Sequence, residues 1–454
     1  MNIYIRIEVR ARELEARLLL GLTAAERGHT VVLGDLRELL SHRFWLPPGI
    51  YHDKSLTPAP RKLDLHARLV AAGFRITSQD EEHGLLQESY DDFAAQRFSS
   101  ASLRQASAVL AWGERDAMVL AERYPEAASR IHTTGSPRVD LWRPELGPFH
   151  ERSAPGAGME GGPFVLIASN VGVTNANPFW INLREQRVAY FKGEDDPTEF
   201  AHYEHHAMEF RYLSRLVRTI RTAAAAMPEV RFVVRPHPTE ADGAWEDLLG
   251  PIANVRVTRE GPIGAWIRRA VAVVHNGSTT GLEAAVGGVP VISFQPAHER
   301  AELLSNRVGR VVGDAHGLTA AIEDALRSDT RSSWFPTSTR AMLSERIAAL
   351  DGRRATERIV DVWDELDAPQ LQRRLPIRRQ QRLASTHALA GRIRTGLLSP
   401  TSPGRRFRTD HKFPPFARGD VETVASDLQA TLDRFHGVTT TRIGPRLVVL
   451  RPAR

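Results

Sequence analysis

Val273 to Ile292 reads VVHNGSTTGLEAAVGGVPVI: an apolar strand, a turn crowded with hydroxyls and glycines, a helix, and a second apolar strand. That order is a βαβ unit. In its turn, Gly277 and Gly281 permit a close and unusual backbone path. Ser278, Thr279 and Thr280 offer hydroxyl donors, and the helix that begins near Thr280 turns unsatisfied N–H groups to the same place. Such a turn is built to hold an anion, in the manner of a phosphate cradle. It has no lysine, so it is not the GxxxxGK[ST] loop of NTP hydrolysis, and it lacks the GxGxxG spacing of dinucleotide binding. The competing reading is a plain strand-to-helix turn in which Ser278 or Thr279 caps only its own helix.

Upstream lies RFVVRPHPTE. Four strand-like residues lead into Arg235, Pro236, His237 and Pro238, where two prolines end the ladder and hold His237 extended at the carboxyl edge of a sheet. Ligands of open α/β sheets bind at that edge. His237, with Arg235 beside it, and the Ser278–Thr280 turn are expected to grip one phosphate from two sides. The imidazole would contribute a hydrogen bond or, when protonated, charge.

The same alternation extends in both directions. NIYIRIEV, a helical RELEARLLLGLTAAERG and HTVVLGD make a βαβ start, and FRITSQDE, SAVLAWG and RIHTTGSPRVD continue it. SAPGAGMEGGP reads as a linker. A second series follows it: PFVLIASN, a long helix around FRYLSRLVRTIRTAAAAM, VRFVVRPHP, NVRVT, AVAVVHNG and PVISF. The expected class is α/β, with two Rossmann-type parallel-sheet domains facing a cleft, over residues 1–150 and 160–367. A basic linker, 368–410, and a small C-terminal α+β unit, 411–454, complete the expected plan.

The chain has 454 residues and is 42% hydrophobic, enough for more than one core. It has no cysteine, which removes disulfides, thiolate nucleophiles and Cys-based metal sites. The N-terminus is charged through its middle and no apolar run reaches spanning length, so the expected location is the cytoplasm. From Arg373 to Arg408 ten arginines occur with no acidic residue among them. That block suits a peripheral contact with an anionic membrane surface, and its poor aromatic content argues against nucleic acid.

The motifs IEVRARELEARLLL, DEEHG, GSPRVD, SNVGVTNAN, RPHP, HNGSTTGLEA and HKFPP together resemble those of the bacterial surface carbohydrate biosynthesis proteins. The HP and Ser/Thr pairs are similar in kind to those of bacterial sialyltransferases and Kdo transferases. This resemblance spans nearly the whole chain and implies a GT-B fold and glycosyl transfer from a CMP-linked ulosonic acid, such as Kdo or a sialic acid. The acceptor would be a glycan or a lipid-linked glycan. His237 and Ser278, Thr279 and Thr280 match the phosphate-binding residues, and Glu283 sits where such enzymes place a carboxylate on the nucleotide ribose.

In SQDEEHGLL, the carboxylates Glu81 and Glu82 resemble the motif that supplies a general base. The intervening His83 leaves the choice between them open, and clustering is expected to raise their pKa. GSPRVD supplies Arg138 and Asp140, the latter a candidate nucleophile or electrostatic stabiliser, with holding Arg138 or capping the next segment as its alternative. Glu8 is an acidic candidate for acceptor binding, and Asn170 and Asn175 could hydrogen-bond sugar or nucleotide. His202, His205 and His206 lack metal-ligand spacing, so neither a metal nor a cofactor is expected. Two alternatives stay open: a CDP-glycerol-type polyol-phosphate transferase, and a nonenzymatic module that binds a nucleotide sugar or a polyanion.

Overall fold

The structure is a computed structural model that describes residues 1–42, 46–82, 84–85, 89–152, 162–172, 174–175, 197–297, 302–327, 334–335, 338–366, 371, 375, 378, 381–382 and 413–453. Most of the expected linker SAPGAGMEGGP and of the Arg373–Arg408 block lies outside them. The chain forms two compact units, Met1–Arg152 with Ser344–Arg454, and Ser153–Leu343.

The first unit holds an eight-stranded sheet. Its parallel strands are β1 (Asn2–Ile7), β2 (Thr30–Asp35), β3 (Ile50–Asp53), β4 (Arg75–Ser78), β5 (Ala106–Ala111) and β6 (Ile131–Thr133), in the order β2-β1-β3-β4-β5-β6. The order reverses between β1 and β3, which puts a topological switch point there. The helix Arg10–Glu26 buries Leu18, Leu19, Leu20 and Leu22 against this sheet.

The second unit holds a six-stranded parallel sheet. Its strands are β7 (Phe164–Ala168), β8 (Arg231–Arg235), β9 (Val255–Val257), β10 (Ala272–His275), β11 (Val291–Phe294) and β12 (Arg310–Val312). Their spatial order is β12-β11-β10-β7-β8-β9. Counted from β7 this is the doubly wound order 3-2-1-4-5-6, with its switch point between β7 and β10. The two Rossmann-type sheets expected from the sequence are therefore both present, each with buried, β-branched central strands.

The structure divides the chain differently from the expected boundaries at 367 and 411. The helix Ala355–Glu365 already belongs to the first unit, because its apolar face, Ile359, Val360 and Trp363, joins that unit's core. The C-terminal elements are the expected helix, Asp420–Leu432, and two strands, β13 (Val438–Gly444) and β14 (Leu447–Pro452). They do not stand alone. β14 pairs antiparallel with β2, Leu447 opposite Gly34 through Leu450 opposite Val31, and so extends the first sheet. The packing is close at Gly34, where a β-carbon would collide with the Arg446 carbonyl, and at Gly21, where it would press on the Leu450 and Leu33 methyl groups. Among the described residues no helix is long and apolar enough to cross a membrane.

Leu450 is fully buried in this layer. Leu450→Ala should lower the unfolding free energy of the first unit by about 2–5 kcal/mol, measured by urea denaturation. An unchanged midpoint would mean that the C-terminal hairpin is an appendage.

Candidate functional site

In the second unit, three loops leave the carboxyl ends of adjacent strands β8, β7 and β10. The loop after β10 is the hydroxyl turn. Gly277 takes a φ of +63° and its N–H donates to Asn306 Oδ1 at 2.7 Å. Ser278 is the N-cap of the helix Thr279–Val286, its Oγ accepting the Thr280 N–H at 3.2 Å and donating to Thr280 Oγ1 at 3.1 Å. The capping reading of Ser278 is thus correct as local structure, and Ser278, Thr279 and Thr280 all remain partly exposed at the sheet edge. Gly281 lies on the buried His275 ring, which leaves no room for a β-carbon. Burial lowers the pKa of His275 to about 4, so the turn rests on a neutral imidazole. Glu283 sits one helical turn further on, half-buried.

The loop after β8 carries Pro236, His237, Pro238, Thr239 and Glu240. Its organiser is Glu240, which the sequence reading passed over. This buried carboxylate accepts five hydrogen bonds. Ser169 Oγ at 2.7 Å, the His237 N–H at 3.0 Å and the Val171 N–H at 3.4 Å donate to Oε1. Trp245 Nε1 at 2.5 Å and Asn175 Nδ2 at 3.1 Å donate to Oε2. Asn175 therefore acts inside this network. His237 is exposed at the edge, with Nδ1 2.7 Å from Thr239 Oγ1.

Arg235 departs from its expected role. Its guanidinium donates to the carbonyls of Glu260 at 2.6 Å and Gly261 at 2.8 Å and stacks over Trp266. Burial first, and then the nearby Arg259, lower its pKa to about 10. Arg235 braces the loop after β9, and the cation that clasps the His237 loop is Arg259, donating to the carbonyls of His237 at 3.0 Å and Glu240 at 2.9 Å.

The middle loop, Ser169 to Gly172, joins the other two. Asn170 Nδ2 donates to the carbonyls of Asn276 and Gly277, each at 3.2 Å, and so spans the switch point between β7 and β10. At its other end Gly172 packs so closely on Thr239 and His237 that a β-carbon would collide with Thr239 Oγ1. His237 and the hydroxyl turn thus stand on either side of this loop, two strand spacings apart, roughly 9.5 Å at the sheet. A phosphate touching both would lie over Asn170–Gly172.

The first unit's switch point is densely charged. Asp53, buried at the end of β3, takes Arg6 Nη1 and His66 Nε2, each at 2.8 Å. Burial alone would raise its pKa, but Arg6, His66 and Lys62 outweigh that and hold it well below the carboxylate range. Across the switch point Lys54 Nζ lies 2.6 Å from Glu8 and 3.9 Å from Glu82, and Arg12 lies 3.3 Å from Glu82. Glu82 reaches solvent. Its partial burial raises its pKa, yet Arg12 and Lys54 bring it below the ordinary value, so the expected mutual elevation of clustered carboxylates does not hold there.

Glu81 is only 3% exposed and is paired with the buried Arg17 at 2.5 Å, with Arg138 3.9 Å from its other oxygen. Arg138 also lies over the Trp112 and Trp142 rings. Asp80 is held by Arg97 in two hydrogen bonds.

Asp140 does not take the role of nucleophile expected of it. It is 0% exposed, and its two oxygens accept the backbone N–H groups of Ala355 at 2.8 Å and Thr356 at 2.9 Å. A carboxylate sealed in this way caps a helix and does not reach a substrate. Of the histidines considered for metal, His205 pairs with Glu209 at 3.2 Å, and the side chain of His202 lies outside the described residues.

No protein-family model matches the chain, and no curated protein matches it. Among solved structures it is similar to the UDP-GlcNAc 2-epimerase of Neisseria meningitidis bound to UDP-GlcNAc, at 12% identity over 80% of this chain and 100% of that one, with a TM-score of 0.48. It is similar to MnaA of S. aureus bound to UDP, at 11% identity over 80% and 96%, with a TM-score of 0.49. The wall teichoic acid polymerase TagF gives 9% identity over 82% and 90%, with a TM-score of 0.45.

Burial raises the pKa of Asp140 to about 6, against the two N–H bonds, which lower it. A folded-state value above the unfolded one gives stability that is present below about pH 4 and lost as pH rises through about 6. Wild type should therefore lose stability relative to Asp140→Asn between pH 4 and pH 7 in urea melts. Wild type gaining stability relative to Asp140→Asn over the same pH range would overturn the assignment.

Proposed function

We propose that this protein is a glycosyltransferase of surface polysaccharide assembly that uses a nucleotide-activated sugar. One observation carries the reading. Asn170 ties the hydroxyl turn to the β7 loop across the switch point, while Glu240 ties the same loop to His237. Two elements that the sequence links to phosphate are thereby fixed around the place where doubly wound sheets bind nucleotides.

His237 and the Ser278–Thr280 turn would take the phosphate of the leaving nucleotide, and Glu283 its ribose. Helix N–H groups and hydroxyls suit that charge without a metal. The donor class, CMP linked to Kdo or another ulosonic acid, rests on the resemblance of the HP and Ser/Thr pairs. In the first unit Glu82 is the favoured base, since it alone of the Glu81–Glu82 pair reaches solvent. The acceptor hydroxyl oxygen would attack the anomeric carbon and pass its proton to Glu82 as the bond from that carbon to the phosphate oxygen breaks. Glu8 and Arg138 would contact the acceptor, a glycan or lipid-linked glycan, and the Arg373–Arg408 block would rest on an anionic membrane surface.

A thermal-shift panel of CMP, CDP, UDP and GDP should give its largest stabilisation with a cytidine nucleotide. CMP ahead of CDP supports the ulosonic acid donor, and CDP ahead of CMP transfers the assignment to a polyol-phosphate donor. UDP or GDP leading would overturn the cytidine reading. His237→Ala and Thr279→Ala should each weaken binding of the preferred nucleotide by about 1.5–3 kcal/mol; unchanged affinity in both would remove the site.

A further inference from the structure

Asn170 lies on the middle loop of the site, and only one end of its amide is committed to the protein. Its Nδ2 is 3.2 Å from each of the Asn276 and Gly277 carbonyl oxygens. A carbonyl oxygen accepts and never donates, so the nitrogen of the amide must face that pair; the amide oxygen turned there would meet two further acceptors. The direction of the group is therefore fixed. Oδ1 sits on the other arm of the planar amide, away from those carbonyls, and takes no hydrogen bond among the described residues. The residue is half-buried at the sheet edge, with Oδ1 reaching solvent.

That polarity sets Asn170 apart from its surroundings. His237, the hydroxyls of Ser278, Thr279 and Thr280, and the N–H groups that open the helix Thr279–Val286 can all donate, which suits a phosphate. Oδ1 can only accept. The phosphate that links a nucleoside to a sugar in a CMP-type donor is a diester with no proton near neutral pH, so its oxygens and Oδ1 repel each other. The donors nearest to that phosphate in such a molecule are hydroxyls.

From this geometry we infer that Asn170 is a specificity residue, whose Oδ1 accepts a hydrogen bond from a hydroxyl of the bound nucleotide sugar and makes no contact with its phosphate. This rests on the reading of the switch point as a nucleotide-sugar site. One side chain then has two tasks, the nitrogen bracing the hydroxyl turn and the oxygen reading the ligand. Two sources of the hydroxyl lie beside the phosphate, the ribose and the transferred sugar, and they present the same chemistry to Oδ1.

The test is a set of calorimetric titrations of the full-length protein with CMP, 2′-deoxy-CMP, 3′-deoxy-CMP and CMP-N-acetylneuraminate. Wild type should bind one of the two deoxynucleotides about fivefold to tenfold more weakly than CMP, the worth of one hydrogen bond. Asn170→Ala should bring that ratio to within about twofold of unity. Asn170→Asp keeps an oxygen at the ligand end and loses the brace, so its affinities should fall together while the deoxy ratio is kept. That pattern assigns the hydroxyl to the ribose. Deoxy ratios indifferent to position 170, with Asn170→Ala costing CMP-N-acetylneuraminate about fivefold to tenfold more than it costs CMP, assign it to the transferred sugar.

Asn170→Ala weakening all four ligands by one common factor, or weakening none, overturns the inference and leaves Asn170 a brace of the turn. So does a wild-type deoxy ratio that Asn170→Asp loses as fully as Asn170→Ala. Asn170→Ser, whose side chain ends short of the amide, takes the place of an alanine variant that fails to fold. Wild type binding neither CMP nor CMP-N-acetylneuraminate overturns the nucleotide-sugar reading and the inference with it, whereas a common factor with wild-type binding intact overturns the inference alone.

Discussion

The order of the second unit's edge depends on one buried carboxylate meeting five donors. Glu240 lies out of water, and a charge in that position is tolerable only when its lone pairs are taken up. Here they are taken up by groups from two strand ends, Ser169 and Val171 after β7 and His237 after β8, with Asn175 and Trp245 closing the far side. The cost of leaving any of these unmatched makes the two loops a single body. Asn170 and Gly172 then connect that body to the hydroxyl turn on one side and to Thr239 on the other.

The first unit solves a related problem in the opposite style. Its switch point is lined by ion pairs in which nearly every carboxylate faces a cation: Glu8 with Lys54, Asp53 with Arg6, Glu82 with Arg12 and Glu81 with Arg17. The buried members form a floor, and Glu8, Glu82, Lys54 and Arg12 form a rim. Such a rim carries donors and acceptors side by side, the pattern that sugar hydroxyls can satisfy without separating charges. Asp140 shows why burial has to be consulted before a role is given to a carboxylate. Its neighbour in sequence, Arg138, is placed beside Glu81, while Asp140 itself is spent on the helix that carries Trp363 into the core.

Much of the fold was legible because strands such as FVLIA, RFVVR and AVVH are short apolar runs ended by Gly, Pro or Asn. Two strands were not legible: β12, a three-residue edge strand, and β3, IYHD, in which His52 and Asp53 break the apolar run. Those residues are held inside the sheet by Arg17 and Thr77 on His52 and by Arg6 and His66 on Asp53, partners that a reading of the strand alone does not show. The helix Arg10–Glu26 did carry a signal. Glu13 and Arg17 fall one turn apart on its buried face, and paired charges at such spacing mark a polar floor beneath an apolar helix. The RPHP and hydroxyl-turn motifs were visible locally, but the role of Glu240 was not, since it joins two loops through Ser169, Val171 and Asn175, which lie 65 to 71 residues away in sequence.

The return of the chain to its first sheet has a consequence for how the protein is made. The second unit is continuous in sequence, from Ser153 to Leu343, and all its strands are available before the chain is finished. The first unit waits for β14, which pairs with β2 across more than 400 residues. During synthesis the second unit can fold while β2 still presents an open edge, and such edges invite pairing with other chains. Among the described residues, the helix Asp420–Leu432, β13 and β14 leave the ribosome after every other element of the first unit, and β14 completes the edge that β2 presents. A chain interrupted before β14 would thus have its second unit formed and its first sheet still exposed to aggregation.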